Sequence, residues 1–525
     1  MAIDVSVLVV GAGPTGLLLA AELKRRGVEC CVIDSHSAPL HWDRATIVHP
    51  RSLEVFEALG ILEPLLAAGV KQRTVRIHSA GSVIGEIDLS KCGSRYGFNI
   101  GVSEEVTESI LTDYLKRQGG KVIRSSKLVD LEDCEDGFMV TIQRDSNMER
   151  VSAGWVVGCD GYHSSTRKLS GIEMTGHDIT ESWGVFDVTL VGWPESCEAI
   201  YAYLEEIPVI LSALPQRRWR VLVRPSSPES DLVADAASTI KRYHSTIGFG
   251  DVANPTRFHC HSKVATRYRS GHIFLAGDAA HVCTPAQGHG MNSGLQDAYN
   301  LAWKLALVCQ GHCSATLLDS YEAERRPVAE MIVASGDAAE RVQTERDPTE
   351  RRARDAKLRA AFTDPTSLHH EAVAEAELDI DYSKSPIVMG NPREALAPGK
   401  RLPDTIEISL PSGETCMLHE LTFRAGHTAL IIGGMSVDGE ILAQLERSIR
   451  GCRDALLIEE TFVLSVGSEN GNPGARIAPA ACDRLGIGEV TLLIVRPDGH
   501  VGLRADDDHL EALMAYQALL VSGQT

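Results

Sequence analysis

The sequence predicts an α/β fold in which a parallel-sheet domain is interrupted by an inserted antiparallel β-sheet and followed by a small separate α/β domain. Three observations carry this expectation. Gly11-Ala12-Gly13-Pro14-Thr15-Gly16 lies between an apolar strand pattern at residues 5–10 and a helical pattern at residues 17–26. From Trp183 to about His261, short alternating runs are punctuated by Pro and Gly. Beyond a Pro- and Gly-bearing linker at about residues 385–403, strand and helix patterns alternate again.

The first segment has a clear physical logic. Gly11 permits a backbone conformation barred to other residues, Gly13 lets a pyrophosphate approach the main chain, and Gly16 lets helix pack close to strand. Pro14 and Thr15 belong to the same cofactor-binding turn, and the phosphates face the free N–H groups and the positive dipole end of the helix that follows. Gly27 stops the helix and residues 28–33 give a second strand. Asp34 follows at the spacing expected of a carboxylate that holds a ribose hydroxyl. An adenine dinucleotide is the expected ligand, with a ligand-free tight turn as the alternative.

At 525 residues the chain exceeds the roughly 250–300 at which single cores stop growing, so two or three domains are expected. No run of about 18 apolar residues occurs, and the first strand follows directly on the N-terminus without a basic leader, which points to a cytoplasmic protein with no membrane contact. A formal charge of −20 repels polyanions, so nucleic acid is not an expected partner. Thirteen cysteines without a Cys-x-x-Cys pattern read as reduced thiols. His259 and His261 would share one face of a strand, but no third ligand stands at a recognisable spacing and no metal is expected.

Within the inserted segment, strands are expected at residues 182–191, 208–214 and 218–224, joined by residues 75–89 with turns at Gly81 and Gly85. Residues 291–310 have helical apolar spacing, and a second long helix follows from Leu317, with Pro327 expected to kink or restart it. The charged run 345–359 reads as a solvated helix face. In the C-terminal domain, strands are expected at 428–432, 456–466 and 490–495, and helices at 441–450 and 510–520.

Two further signatures follow the glycine loop in order: Asp160-Gly161-Tyr162-His163-Ser164-Ser165-Thr166-Arg167, then Gly277-Asp278-Ala279-Ala280-His281. Pro285-Ala286-Gln287-Gly288-His289-Gly290-Met291-Asn292 places two glycines just before a long helix, where N–H groups point at a developing anion. With these motifs the chain, to about residue 400, resembles the single-component flavoprotein monooxygenases of the p-hydroxybenzoate hydroxylase type. More narrowly it is similar to the phenol, 3-(3-hydroxyphenyl)propionate and polyketide hydroxylases, which carry a thioredoxin-like C-terminal domain. The tail, with Arg496-Pro497-Asp498-Gly499 after a hydrophobic strand, resembles that domain and lacks a redox cysteine pair.

The resemblance implies a Rossmann-like FAD-binding domain (1–74, 98–181 and 268–395), a substrate-binding sheet domain (75–97 and 182–267) and a thioredoxin-like domain (400–525). It assigns Asp278 to the ribityl or ribose hydroxyls of FAD, and Gly288, Gly290, Met291 and Asn292 to the reduced flavin. It assigns Asp160, Gly161 and Arg167 to bracing FAD and the nicotinamide pyrophosphate, with a structural salt bridge as the alternative, and Arg44 to the flavin or its phosphates. Three positions depart from the pattern: Glu104 stands where a Gln is common, Gln287 where a Gly or Ala is usual, and His289 where a Gln is common. Glu104 beside a pyrophosphate would be repulsive unless paired with Arg44 or moved away.

The implied reaction uses NADH or NADPH to reduce FAD, adds O2 as a flavin C4a-hydroperoxide, and transfers one oxygen atom to an activated phenolic or heteroaromatic ring. Candidate substrate contacts are Tyr201, Tyr203, Ser212, Arg220, His259 and His261, together with the backbone of Pro285. Oxygen insertion of the Baeyer–Villiger or epoxidising type and a non-catalytic flavin-binding scaffold stay open as alternatives. A plain nicotinamide dehydrogenase would need only the first motif, and no Trp-x-Trp-x-Ile-Pro segment of a flavin halogenase occurs. A homodimer is the expected assembly.

Overall fold

The computed structural model describes residues 4–40, 45–135, 137–392, 395–451, 457–466 and 474–522. Its contacts divide the chain into two compact units, one of residues 1–21, 29–298 and 327–378, the other of residues 22–28, 299–326 and 379–525.

The first unit is organised by a sheet with the order Arg269–Ser270, Ile273–Leu275, Asn147–Gly158, Val5–Val10, Cys30–Ile33, Val122–Ile123. Its four central pairings are parallel. Val7, Leu8 and Val9 are fully buried, as an apolar run covered on both faces must be. The helix behind the first strand begins at Pro14, three residues earlier than the apolar periodicity indicates, because Pro is preorganised for a first helical turn. The second strand is shorter than expected, at Cys30–Ile33.

A second sheet has the order Gly248–Phe258, Trp183–Val191, Arg218–Val223, Val209–Leu214, Ala199–Tyr203, Thr74–Ser79, Ser82–Asp88. It is not wholly antiparallel: Ala199–Tyr203 and Thr74–Ser79 pair in parallel, which two strands distant in sequence can do. Gly85 is not a turn. It lies inside a strand, where a Cβ would come within 2.0 Å of the Phe362 ring.

Strand alternation gives this sheet two distinct faces. Phe186, Tyr201, Tyr203, Leu211, Trp219 and Val221 pack with Leu232, Ala236 and Ile240 of the helix Leu232–Tyr243. Ile200, Ala202 and Ile210 occupy the opposite face, with Ile47 and Val342 packed against them.

Asp319–Thr344 is helical throughout, so Pro327 does not restart it, although its ring nitrogen has no proton to give. The run 345–359 is not simply a solvated face. In the helix Pro348–Ala361, Arg354 and Asp355 are buried, and Arg354 donates to Ser79 Oγ (3.0 Å) and the Leu204 carbonyl (2.9 Å). Charge composition alone does not reveal a cation whose partners are supplied by distant carbonyls.

The second unit is built on a mixed sheet with the order Met389–Gly390, Val501–Ala505, Val490–Val495, His427–Gly433, Ile458–Val466, Ala475–Ile477, Glu407–Ser409, Thr415–Met417. The helices Gly439–Gly451 and His509–Ser522 cover the face that carries Ala429, Ile431, Leu492 and Ile494. The expected strands and helices of this domain appear within a few residues of their predicted bounds.

Candidate functional site

The three signatures each follow directly on a strand, and those strands are neighbours in the parallel sheet: Ile273–Leu275, Asn147–Gly158 and Val5–Val10. Carboxyl ends of adjacent parallel strands are where an open α/β sheet offers a crevice. Gly11 has φ +104°, and a Cβ there would stand 2.2 Å from the Cys159 carbonyl oxygen. A Cβ on Gly16 would stand 2.0 Å from the Gly11 oxygen. Thr15 lies against the third signature: a Cβ on Gly277 or Gly294 would come within 2.7 or 2.4 Å of its Oγ1. Contact between the signatures depends on these glycines. Among the described residues a Cβ on Gly13 would meet only Glu108 Oε1, at 3.9 Å, and the helix Pro14–Arg25 has no acid in its own first turn. That combination suits a phosphate approaching the helix end.

Polar side chains lock the loops. Asp34 accepts the Ala12 N–H (2.8 Å) and the His36 N–H (2.8 Å), so the ribose-binding candidate also holds the glycine loop. Asp160 accepts from Ser164 Oγ (2.5 Å) and from the Thr166 N–H (3.0 Å), capping the turn in which Gly161 takes φ +74°. Arg167 donates to the carbonyls of Tyr162 (2.6 Å) and Ala279 (2.9 Å) and thereby joins the second signature to the third. Among the described residues Asp160 and Arg167 make no direct ion pair, each being engaged by nearer partners, although the Asp160 charge still favours the charged form of Arg167. Burial holds the Arg167 guanidinium below its ordinary value.

Asp278 is exposed beside buried Gly277. Behind it, Asp297 accepts from the Gly277 N–H (3.0 Å) and pairs with His281 Nε2 (2.8 Å). Sequence reasoning missed Asp297; an acid at full burial inside an apolar helix pattern was the available signal.

Pro285–Gln287 forms a single tight turn, Gly288 follows with φ +74°, and the helix already begins at His289. Gly290 and Met291 therefore lie inside its first turn rather than before it. Asn292 braces the loop, donating to the Ile47 carbonyl (2.9 Å) and the Gly288 carbonyl (3.1 Å) and accepting the His49 N–H (3.0 Å). Gln287 accepts from Ser335 Oγ at 2.6 Å. Glu104 Oε2 accepts the Ala45 N–H at 3.4 Å. Arg44 lies outside the described residues.

The structure separates the substrate candidates. Arg220 and Ser212 lie on the same sheet face as Ile200 and Ile210, which packs with Ile47 next to Gly288. Arg220 pairs with Asp187 (2.5 Å), and Ser212 Oγ accepts from Gln72 Nε2 (2.9 Å). Gln72 was not anticipated from the sequence; it is fully buried, and among the described residues its Oε1 has no partner. Tyr201 and Tyr203 point the other way, into the core under the helix Leu232–Tyr243, where Tyr203 stacks on His78 at 4.7 Å and burial raises both phenols. Which face a strand residue takes depends on what covers each side, and alternation alone leaves that open.

His259 is exposed and precedes the strand His261–Ala265, so the two histidines do not share a strand face. His261 stacks on Tyr162 at 3.9 Å and pairs with Asp178. A different trio converges instead. His49, His289 and Glu377, all buried, bring one ring nitrogen or carboxylate oxygen each within 4.8 Å of one another. Nothing in the spacing of residues 49, 289 and 377 announces it.

Residues 4–335 match the family model described as FAD binding domain. The chain belongs to that family. It is 36% identical over 340 residues to a 6-methylpretetramide 4-monooxygenase of Streptomyces rimosus, a match covering 63% of this chain and 60% of that relative's length. It is 32% identical to pentachlorophenol 4-monooxygenase of Sphingobium chlorophenolicum, with 63% of each chain covered. Among solved structures, an anhydrotetracycline hydroxylase from Streptomyces rimosus superposes with TM-score 0.76 at 27% identity, covering 97% of this chain and 98% of that one. A flavin-dependent monooxygenase in complex with FAD and substrate superposes with TM-score 0.77 at 25% identity, covering 99% of both. The fold is thus that of the FAD-dependent aromatic hydroxylases over the whole chain, and the open loop at Gly13, the exposed Asp278 and the bracing by Arg167 fit the FAD that the family binds. Among the described residues no helix is long and apolar enough to cross a membrane.

Proposed function

We propose that the protein is an aromatic hydroxylase that uses NADH or NADPH and O2 to place one oxygen atom on a phenolic ring. The observation that carries this reading is the meeting of the three signatures at the ends of adjacent parallel strands, beside a sheet face bearing Arg220, Asp187, Ser212 and Gln72. Bound FAD would supply the chemistry, accepting a hydride from the nicotinamide and passing one atom of O2 to the ring. Gly11, Gly13, Gly16 and the N-terminus beginning at Pro14 would hold the pyrophosphate, with Asp34 at the adenosine ribose, Asp278 at the ribityl chain and Arg167 bracing the turn. The loop from Gly288 to Asn292, at a positive helix end, would favour the negative charge of the reduced ring.

The protein's own share is to bind and orient the substrate and to exclude water. Gln72 Oε1, a buried acceptor without a partner, suits a ring hydroxyl, since an unmet acceptor is stabilised most by a donor that arrives with the ligand. Arg220, held by Asp187, suits a phenolate or a neighbouring carbonyl oxygen. The names of the relatives, among them a 6-methylpretetramide 4-monooxygenase and a pentachlorophenol 4-monooxygenase, support a hydroxylated aromatic substrate class.

The test is purification followed by a panel of mono- and polycyclic phenols. The expected result is a yellow protein whose NADH or NADPH oxidation rises sharply with one class of phenol, giving a product heavier by one oxygen atom. A folded, colourless protein that takes up no FAD would overturn the reading.

A further inference from the structure

Two buried imidazoles beside the Gly288 loop lack the partners that buried polar groups normally have. His49 is fully buried in front of the helix Pro50–Ala58, and His289 opens the helix His289–Cys309. Their rings meet edge to face with centroids 5.0 Å apart. His49 Nδ1 bonds Asn99 Oδ1 at 3.2 Å, an assignment that makes Nδ1 the donor and leaves Nε2 a bare acceptor. Nε2 faces the loop, 3.5 Å from where a Cβ on Gly288 would stand. Among the described residues neither it nor either nitrogen of His289 has a hydrogen-bond partner of normal geometry, while the Gly288 and Gln287 backbones lie close enough to His49 to favour its charged form.

Glu377 completes the cluster. Its Oε2 accepts from Gln296 Nε2 at 2.5 Å. It follows the last residue of a helix end with φ +56°, a left-handed position where glycine is the unstrained choice. The strained backbone holds this buried carboxylate within 4.8 Å of a ring nitrogen of each histidine, so an imidazolium formed there would have an acid beside it.

We propose that His49 and His289 together accept one proton from solvent when flavin bound at the Gly288–Asn292 loop is reduced, and release it when the flavin is reoxidised. This rests on the flavin placement given under Proposed function. The balance is simple. A hydride carries two electrons and one proton from the nicotinamide to the flavin, leaving the ring with one negative charge, and the second proton goes to an imidazole nitrogen. Burial holds His49 at about 4 and His289 at about 3, so both are neutral at pH 7 while the flavin is oxidised. A negative charge at the loop raises both, and repulsion between two imidazolium ions limits uptake to one.

The other ionisable groups around the pair fit this role. Glu377 offers the imidazolium a counter-charge. Glu375, whose Oε1 accepts from Asn99 Nδ2 at 3.4 Å, is raised by burial to about 8, so it is mostly protonated at pH 7. Cys283, pushed up to about 12, keeps its proton, and Arg51 and Glu54 form a closed ion pair at 2.7 Å.

The test compares FAD-loaded wild type with His49→Gln/His289→Gln by spectroelectrochemical titration between pH 6 and 8. One extra proton per two electrons changes the reduction equilibrium tenfold more per pH unit, which is about 29.6 mV for a two-electron couple. The wild type is expected to show that steeper slope and the double variant to lack it. Proton release and uptake by the wild type alone, read with a dye in weak buffer, gives the same count without any variant. Equal slopes, a reduced-flavin spectrum showing the ring itself protonated, or a stoichiometric divalent ion occupying the trio would overturn the proposal. Loss of FAD binding in wild type would instead defeat the functional reading on which it rests.

Discussion

Two buried polar clusters, one in each unit, are built on opposite principles. In the second unit, Glu324 accepts from Lys304 Nζ (2.7 Å), from both Arg496 Nη atoms (2.6 and 2.8 Å) and from Ser385 Oγ (2.6 Å), while Asp498 takes Trp303 Nε1 (3.1 Å) and a second side of Arg496. Lys304, Glu324 and Arg496 have no exposed side-chain surface, and Arg496 holds the Glu324 carboxyl down at about 2. In the first unit, His49 and His289 are equally buried but leave three ring nitrogens unmet. A saturated cluster fixes a fold, whereas an unsaturated one is held in readiness for a charge that comes and goes. Burial alone therefore does not separate these two clusters; how fully their polar atoms are bonded does.

Breaking the saturated cluster should have the largest effect. Arg496→Met leaves buried Asp498 without its arginine and Glu324 with Lys304 as its remaining cation, and is expected to destabilise the protein by about 3–5 kcal/mol in urea unfolding; a loss below about 1 kcal/mol would mean the cluster is dispensable. Acid should act next, and with a definite sign. His49 and His289 are held at about 4 and about 3, below the unfolded value, so the unfolded chain binds more protons and stability is lost as pH falls below about 6.5. The slope is about 1.4 kcal/mol per pH unit for each imidazole kept neutral. His427 in the second unit, held at about 3, adds to it. The acid slope between pH 6 and 4 should become shallower in His49→Gln/His289→Gln and stay unchanged in a surface control.

Filling the unsaturated cluster should matter less to stability. His289→Met replaces an unpartnered ring with an apolar side chain of similar size and should shift unfolding by no more than about 1 kcal/mol, neutral or stabilising, since nothing paired is broken. Smallest of all is Tyr203→Phe, whose hydroxyl reaches only His244 Nε2 at 3.5 Å. It should cost under about 1 kcal/mol and leave substrate-stimulated nicotinamide oxidation unchanged, whereas Arg220→Met, on the other sheet face, should raise KM. Equal kinetic effects of the two would erase the distinction between the faces.

The glycine loops, the strands beside them and the C-terminal strands were legible because each is a local matter of apolar period, backbone freedom or turn chemistry. Gly11 and Gly161 take the left-handed conformations their motifs require. Gly85 was misread because the same residue serves a turn and a close approach, and only Phe362, far away in sequence, tells which. Arg354 looked solvated for a related reason: its acceptors, Ser79 Oγ and the Leu204 carbonyl, are 275 and 150 residues distant.

The sequence by itself determined the parallel nucleotide-binding unit and its three signatures, since strand period and glycine freedom are written in consecutive residues. The tertiary structure alone decided which sheet face meets the loop, that Arg167 reaches Ala279 rather than Asp160, and that His49, His289 and Glu377 share one dry space. Those outcomes depend on which distant surfaces exclude water together, and a linear pattern does not encode distance between its own remote parts.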